Sequence, residues 1–229
     1  ITARRVGGGA AHAIQGTLIQ AVVTAAISVP IGVLTAIYLV EYGRGPVARL
    51  VSFMVDILTG IPSIVAALFI YALWVTTFGF QRVPFAVTLA LAMLMIPTIV
   101  RSTEEMLKLV PNDYREASYA LGVPKWRTIV KVVLPTAFSG IVTGILLGLA
   151  RVMGETAPLI ILGPYAKSIS HNLFDGLMGT LPTMINQDRA ESLQPAVDRV
   201  WGAALTLILL IFLLNLAGRL VSRFSTVRA

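Results

Sequence analysis

The chain has 229 residues, of which 56% are hydrophobic and 13% are charged. Soluble domains have about 45–50% apolar and about 25% charged residues, so this composition excludes an ordinary soluble domain. The chain has no cysteine, which excludes a disulfide framework and thiolate metal sites. Its net charge of +7 is typical of a membrane protein with basic cytoplasmic loops, and we expect no nucleic-acid partner.

Apolar stretches long enough to cross a hydrocarbon core of about 30 Å as a helix recur along the chain. They cover residues 14–40, 50–77, 83–100, 136–162 and 200–221. The sequence therefore predicts an all-α polytopic membrane protein in the lipid bilayer. We expect one transmembrane domain over residues 1–229, with five spanning helices.

Lys and Arg concentrate in residues 41–49, in residues 101–135 and in the C-terminal tail. These segments share one side of a five-span topology, and the positive-inside rule places that side in the cytoplasm. The C-terminus is then cytoplasmic and the N-terminus external, so we expect a sixth, N-terminal helix to be missing from this sequence. The external loop, residues 163–199, mixes apolar residues with Gly, Pro and charges, which predicts a lid packed on the outer surface.

The cytoplasmic loop contains the stretch PNDYREASYALGVPKWRTIVKVVLPTAF, residues 111–138. Its Asn-Asp pair suits the start of a short helix. Gly122 suits a left-handed helix end, and Pro124 and Pro135 suit the first positions of a second helix and of the fourth span. The pattern predicts a compact elbow over residues 111–135 and not a flexible linker.

This elbow resembles the EAA loop of ABC importer permeases. Glu116-Ala117-Ser118 is followed after three residues by Gly122, and nine residues later come Val132-Val133-Leu134-Pro135. Ser and Val replace the Ala and Ile of the family pattern at positions 118 and 132. In that family the elbow docks into a groove on a separate ATPase subunit, with apolar side chains as anchors. The resemblance implies ATPase coupling through Glu116, Ala117, Tyr119, Gly122, Trp126, Leu134 and Pro135.

ATP is expected to bind to partner subunits. The chain carries no GxxxxGK[ST] motif, so it cannot bind ATP through a P-loop of its own. His12 and His171 lack ligand neighbours at metal-binding spacing and are expected to be solvated or locally bonded. We therefore expect a transport subunit with no catalytic residue, cofactor or metal, and not an enzyme.

The fourth span contains Arg151 and Glu155 within LARVMGETAPLIILG. At about 100° per residue, both fall on the stripe formed by three glycines spaced by four, Gly140, Gly144 and Gly148. Such a stripe lets another helix approach closely, so we expect this face to point into protein. A charge at the bilayer centre costs about 2.5–3.5 kcal/mol on insertion scales unless it faces a partner or a water-filled path.

Two interpretations of this pair remain open. A guanidinium matches phosphate oxygens in bidentate geometry, which favours an anion path. Alternatively, the ion pair ties helices together and has no transport role. Pro158 cannot donate to the carbonyl of Gly154, so we expect the span to be bent or locally open beside the pair.

RVMGETAPL resembles the Arg-x-x-Gly-Glu-Thr-Ala-Pro segment of the membrane subunits of the Pst phosphate importers, and Thr-Ala-Pro is similar to their A-type subunit. GGGAAHAIQGTL, VEYGRG and DILTGIPSIVAALF are similar to that family as well. The resemblance implies a type I ABC importer permease fold in the bacterial plasma (inner) membrane. It also implies three kinds of partner: a second permease subunit, ABC ATPase subunits and an extracytoplasmic phosphate-binding protein.

The substrate path is expected to include Arg151, Glu155 and Thr156, with Thr59 and Ser63 from the second span. Pro62 interrupts that span, and a broken helix at membrane depth lines a cavity or is a packing kink. Other functions also remain open: an ABC permease for another oxyanion or small solute, or a channel or secondary transporter that needs no ATPase. A secondary transporter often shows repeated halves with matching broken helices, which this sequence lacks.

Overall fold

The computed structural model describes residues 9–163, 165–191 and 193–226, and the regular structure in these ranges is helical. Residues 227–229 of the predicted cytoplasmic tail lie outside them. Four helices are long and apolar enough to cross a membrane: Ala11–Tyr42, Pro84–Lys108, Lys125–Gly154 and Gln194–Leu220. A bent pair, Pro46–Gly60 and Ser63–Thr77, brings the number to five if it counts as one span. The predicted all-α polytopic fold is confirmed.

The helices are labelled in chain order. They are α1 (Ala11–Ile37), α2 (Pro46–Gly60), α3 (Ser63–Tyr71), α4 (Pro84–Lys108), α5 (Asn112–Ala120), α6 (Lys125–Thr128), α7 (Leu134–Gly154), α8 (Ala157–Leu162), α9 (Leu181–Asp188) and α10 (Gln194–Thr226). π-Helical turns extend α1 (Tyr38–Tyr42) and α3 (Ala72–Thr77) and join α6 to α7 (Ile129–Val133).

The core is built around α4, which packs against α1 and α7. Leu91, Met95 and Ile99 of α4 are fully buried. Gly32 of α1 permits the close approach, because a Cβ there would lie 2.7 Å from Cγ2 of Ile99. α4 therefore connects α1 and α7 within the bundle.

The third span is longer than the sequence predicts, since α4 continues to Lys108 and does not end at residue 100. The reason is that its charged residues find partners within the bundle. Arg101 pairs with Asp56 of α2 and with Glu104 one turn further along α4. These paired charges do not end the helix, and the loop that we predict to be cytoplasmic begins after Lys108.

The fourth span also differs from its predicted bounds of 136–162. One continuous helix runs from Lys125 to Gly154, so Pro135 lies inside it and does not begin the span. The π-helical turn Ile129–Val133 ends two residues before Pro135. A π turn shifts the helical hydrogen-bond register, which accommodates a residue without an N–H.

The predicted break near Arg151 is present. The helix ends at Gly154, and Glu155 is extended with φ −67° and ψ 135°. A separate short helix, α8, then begins at Ala157.

The second apolar stretch is sharply bent at the predicted interruption, since α2 and α3 diverge by 107°. Ile61 and Pro62 are both extended between them. Pro62 has no N–H and cannot donate a hydrogen bond to the carbonyl of Leu58. The N–H of Ile61 donates to that carbonyl instead, at 3.4 Å. The bend therefore leaves this carbonyl hydrogen-bonded.

In the segment that we predict to be external, part of the chain packs on the bundle as the predicted lid. Met178, Leu181 and Met184 are buried. The chain crosses directly over α1, where a Cβ on Gly16 would lie 2.0 Å from the carbonyl oxygen of Gly179. The last helix begins at Gln194, six residues before the predicted start of the fifth span at residue 200.

Candidate translocation site and coupling elbow

The glycine stripe of α7 faces α4, as predicted. A Cβ on Gly144 would lie 2.2 Å from Oγ of Ser102, and one on Gly140 would lie 2.1 Å from Sδ of Met106. A Cβ on Gly148 would lie 3.4 Å from Cγ of Met95, so the approach is less close there. Small residues here let the two helix backbones approach, so this side of α7 is a packing surface.

Arg151 does not share that packing surface with α4, so the expectation that its face points into protein stays a prediction for this residue. Its side chain is 45% exposed, whereas that of Glu155 is 18% exposed. Leu147, one turn before Arg151, is 64% exposed. The physical reason is that α4 covers the side of α7 that carries Gly144 and Gly148. Arg151, three residues beyond Gly148, is left partly exposed.

The two charges form a loose ion pair, with Nε of Arg151 3.8 Å from Oε1 of Glu155. This separation is too long for a hydrogen bond. Val152 and Met153, by contrast, are buried in the bundle. The guanidinium is therefore held near a carboxylate but presents hydrogen-bond donors to the open face of the chain, where an anion can reach them.

The open face of α7 also carries hydroxyl groups that the sequence analysis missed. Thr136 and Thr143 are exposed, and their hydroxyls donate to the carbonyls of Val132 at 2.7 Å and Ser139 at 2.9 Å. Spacings of seven and eight residues place both on the same helix face as Arg151. This spacing is the signal in the sequence that indicates them.

Thr156 lies at the break and lines a cleft of about 490 Å³. Its hydroxyl is 3.4 Å from the carbonyl oxygen of Gly154. Asn186 and Arg189, at the end of α9, line the same cleft and were not predicted. Sequence spacing does not reveal them, because about thirty residues of external chain separate them from Thr156.

Thr59 and Ser63 lie on the two sides of the bend between α2 and α3. The Thr59 hydroxyl donates to the carbonyl of Val55 at 2.8 Å, and Ser63 begins α3. α3 packs against α8, which follows Thr156 directly. Among the described residues, no hydrogen bond or ion pair joins Thr59 or Ser63 to Arg151, Glu155 or Thr156, and their role stays a prediction.

The elbow has the predicted order of helix, glycine and helix. Gly122 separates α5 from α6 with φ +75°, and its N–H donates to the carbonyl of Tyr119 at 2.9 Å. A Cβ at Gly122 would meet no atom within 4 Å, so the left-handed backbone and not crowding accounts for the glycine. The hydroxyls of Ser118 and Thr128 lie 2.8 Å apart and join the two helices.

Most of the predicted coupling residues lie on the elbow surface. Tyr119 is 41% exposed and Trp126 is 58% exposed. Glu116, Ala117 and Pro135 are exposed as well, whereas Leu134 is half-buried. An apolar cleft of about 400 Å³ runs along this surface, lined by Tyr114, Ala117, Ser118, Leu121, Val123, Arg127, Lys131 and Val132.

Near the start of α1, a buried polar group joins the lid to this helix. Nε2 of His12 lies 3.2 Å from the hydroxyl of Tyr165, so His12 is locally bonded as expected. Burial, assisted by the negative charge of Asp188, raises the pKa of Tyr165 to about 12. The phenol is therefore protonated at physiological pH and is available as a donor. Asp188 itself pairs with Arg199 of α10 at 2.9 Å.

Comparison with known proteins places the chain in a transporter family. The family model described as "Binding-protein-dependent transport system inner membrane component" matches residues 28–226. The phosphate transport system permease protein PstA of Mycobacterium leprae is 56% identical over 211 residues, which are 92% of this chain and 69% of that protein. This chain belongs to the PstA family of binding-protein-dependent transport permeases.

More distant PstA proteins are also similar to this chain over most of its length. The PstA of Pasteurella multocida is 39% identical over 214 residues, covering 93% of this chain and 76% of that protein. The predicted resemblance to the A-type Pst subunit is therefore confirmed, and the chain is a multi-pass inner-membrane protein.

Solved structures confirm the type I ABC importer permease fold for this PstA family member. An inward-facing conformation of the MetNI methionine ABC transporter matches with a TM-score of 0.72 at 22% identity, covering 95% of this chain and 94% of that chain. A bacterial ABC transporter involved in import of the polysaccharide alginate also gives a TM-score of 0.72, at 14% identity, covering 93% and 78% of the two chains. At these identities the likeness concerns the fold.

Proposed function

We propose that this chain is the transmembrane permease subunit of an ATP-driven importer of inorganic phosphate. It belongs to the PstA family and has an ABC permease fold. The observation that carries the substrate assignment is Arg151, an exposed guanidinium on a membrane span that is otherwise rich in apolar residues. Such a group is a functional candidate by default, and its planar donors match the oxygens of phosphate.

Glu155 would lower the affinity of this site for the anion. Its carboxylate lies 3.8 Å from the guanidinium, close enough to satisfy the charge when no anion is present. A transport site must bind its substrate weakly enough to release it. We infer that Glu155 competes with the anion, and that Thr156, Thr59 and Ser63 contribute hydroxyls along the path.

The open face of α7 fits a path completed by a second permease subunit. Arg151, Thr143 and Thr136 are exposed, and no helix in the described part of the chain covers them. A charged group on that face is tolerated in a membrane if a protein partner encloses it with water or substrate. We therefore propose that a homologous permease faces this surface, that residues 1–229 act as one transmembrane domain and that the C-terminus is cytoplasmic.

The elbow fits an ATPase partner. Its apolar side chains are presented to solvent on two short helices, which is the surface that a helix-in-groove contact uses. We propose that Glu116, Ala117, Tyr119, Gly122 and Trp126 contact an ABC subunit, while Leu134 and Pro135 connect the elbow to α7. ATP would be bound by those subunits. A phosphate-binding protein would deliver substrate to the outer surface near residues 163–199.

The test is ATP-dependent uptake of labelled phosphate into proteoliposomes that contain the complete complex, with sulfate and molybdate as competitors. The proposal predicts uptake that requires ATP and that unlabelled phosphate suppresses. ATP-dependent uptake of another solute, but not of phosphate, would contradict the substrate assignment and leave the permease assignment in place. Phosphate uptake without ATP would contradict the role of the elbow and indicate a channel or secondary transporter.

A further inference from the structure

The cytoplasmic end of α1 reaches the elbow through the π-helical turn Tyr38–Tyr42. Glu41 lies in this turn, and its charged side chain is 5% exposed. A buried carboxylate is tolerated when it is paired and hydrogen-bonded. Its partner is Arg115 of α5, whose side chain is 13% exposed.

Arg115 contacts the ends of two spans at once. Its Nε and Nη2 donate to Oε1 of Glu41 at 3.0 and 2.8 Å. Its Nη1 and Nη2 also donate to the carbonyls of Val110 and Leu107, at 2.8 and 3.0 Å. These carbonyls lie at and just beyond the end of α4, where the last carbonyls of a helix have no N–H partner within the helix. The planar guanidinium therefore holds α5 to α1 and α4 in one geometry.

Lys125, at the start of α6, makes a second link to the same turn. Its Nζ donates to the backbone carbonyl of Glu41 and lies 4.7 Å from the ring centroid of Tyr42. A cation over an aromatic face is attracted by the ring quadrupole. Both helices of the elbow thus bind the last turn of α1.

α1 has no covalent path to the elbow shorter than about seventy residues, so its link to the elbow depends on noncovalent contacts. These are the polar contacts above and an apolar cluster that includes Ala36 of α1 and Val133 of the π-helical turn before α7. Apolar packing contributes little to the contact between α5 and α1. Ser118 is the buried side chain of α5, and its hydroxyl is paired with Thr128 inside the elbow. Tyr114 and Tyr119 are 52% and 41% exposed.

We propose that Glu41 and Arg115 form a latch that makes α1 move with the elbow. They are positioning residues: they neither dock the ATPase nor contact the substrate. The proposal rests on the proposed function, because an ATPase drives the elbow only in that case. α1 packs along α4, and α4 packs on α7, which carries Arg151. A latched α1 therefore carries the elbow motion to both sides of the central helix.

The first test compares ATP hydrolysis with solute uptake in the reconstituted complete complex. Glu41→Gln and Arg115→Gln are expected to retain the ATPase subunits and hydrolyse ATP, while the solute imported per ATP falls at least about tenfold, as loss of a charge-assisted bond implies. Asp113→Asn is the matched control, since it removes a charge from an exposed position of α5 and should leave this ratio unchanged. An unchanged ratio in the Gln variants, or loss of the ATPase subunits from them, would overturn the latch.

The reversed pair, Glu41→Arg with Arg115→Glu, distinguishes loss of the ion pair from misfolding of a single variant. The latch predicts that the double reversal recovers more of the uptake per ATP than either single reversal. A double reversal no better than the worse single one would contradict a direct pairing.

A distance measurement separates failure of the latch from failure of the proposed substrate. The chain has no cysteine, so spin labels can be placed at Asp113→Cys on α5 and Leu34→Cys on α1, in a complex whose other subunits are cysteine-free. With the latch intact, the distance between the labels should stay constant when ATP is added. With Glu41→Gln it should change. A constant distance in both would overturn the latch, whatever solute the complex transports.

Discussion

The hydroxyls of Ser118 and Thr128 lie 2.8 Å apart in the buried interior of the elbow and join its two helices. Ser118 stands where the family pattern has alanine, so this chain adds a polar contact at the third position of the EAA motif. Both residues are buried, and the pair keeps both hydroxyls satisfied.

We expect Ser118→Ala alone to lower the free energy of unfolding by about 1 kcal/mol, because it weakens the hydrogen bonding of the Thr128 hydroxyl. Adding Thr128→Val should cost less than the sum of the two single changes, since the double variant leaves no polar group unmatched. A double-mutant cycle by thermal unfolding of the purified chain checks this expectation. Strictly additive changes would show that the two hydroxyls do not depend on each other.

Arg151→Ala is expected to reduce phosphate uptake by about 10- to 100-fold, the factor that corresponds to a hydrogen bond to a charged group. Assembly should persist, because the side chain is 45% exposed and little packing is lost. Leu147→Ala, one turn away on the same exposed face, is the control and should transport normally. Normal uptake by Arg151→Ala, measured in proteoliposomes, would leave only the ion-pair interpretation.

Gly122→Val is expected to prevent stable binding of the ATPase subunits. A β-branched residue is strained at φ +75°, although the space beside Gly122 is open. Gly122→Asn is the control, since asparagine tolerates the left-handed region better. The amount of ATPase that copurifies with each variant decides the matter, and equal stoichiometric amounts for valine and wild type would refute the role of this turn.

Gly144→Val should disrupt the contact between α7 and α4, because its Cβ would lie 2.2 Å from Oγ of Ser102. Overpacking of this kind costs about 1–3 kcal/mol of stability. Gly154→Ala is the comparison, as a Cβ there meets nothing within 4 Å. Thermal unfolding of the two variants should differ accordingly. A Gly144 variant as stable as wild type would mean that the two helices separate easily.

Local sequence signals predicted the elbow and the break in the fourth span well. Gly122 ends α5 because few other residues adopt its backbone conformation, and Pro158 prevents the helix from continuing through Gly154. Such effects act within a few residues, so they can be read without knowing the rest of the fold. Local signals failed at Pro135, which they predicted to begin the fourth span. The nearby π-helical turn allows the helix to continue through this proline.

The predicted end of the third span at residue 100 is wrong for a different reason. Arg101 looks like the start of a loop when it is read alone, yet its partner Asp56 lies 45 residues away on α2. Charge in a helix is acceptable once a partner is present, and the partner is a property of the packed bundle.

The sequence by itself determined the membrane class, the elbow and the presence of a charged pair beside a helix break, because composition and local backbone chemistry dictate these features. The tertiary structure alone decided that α4 covers the glycines and leaves Arg151 open, and that Glu41 meets Arg115. The reason is physical: the side of a helix that is covered, and the ion pair that forms, depend on how distant segments pack.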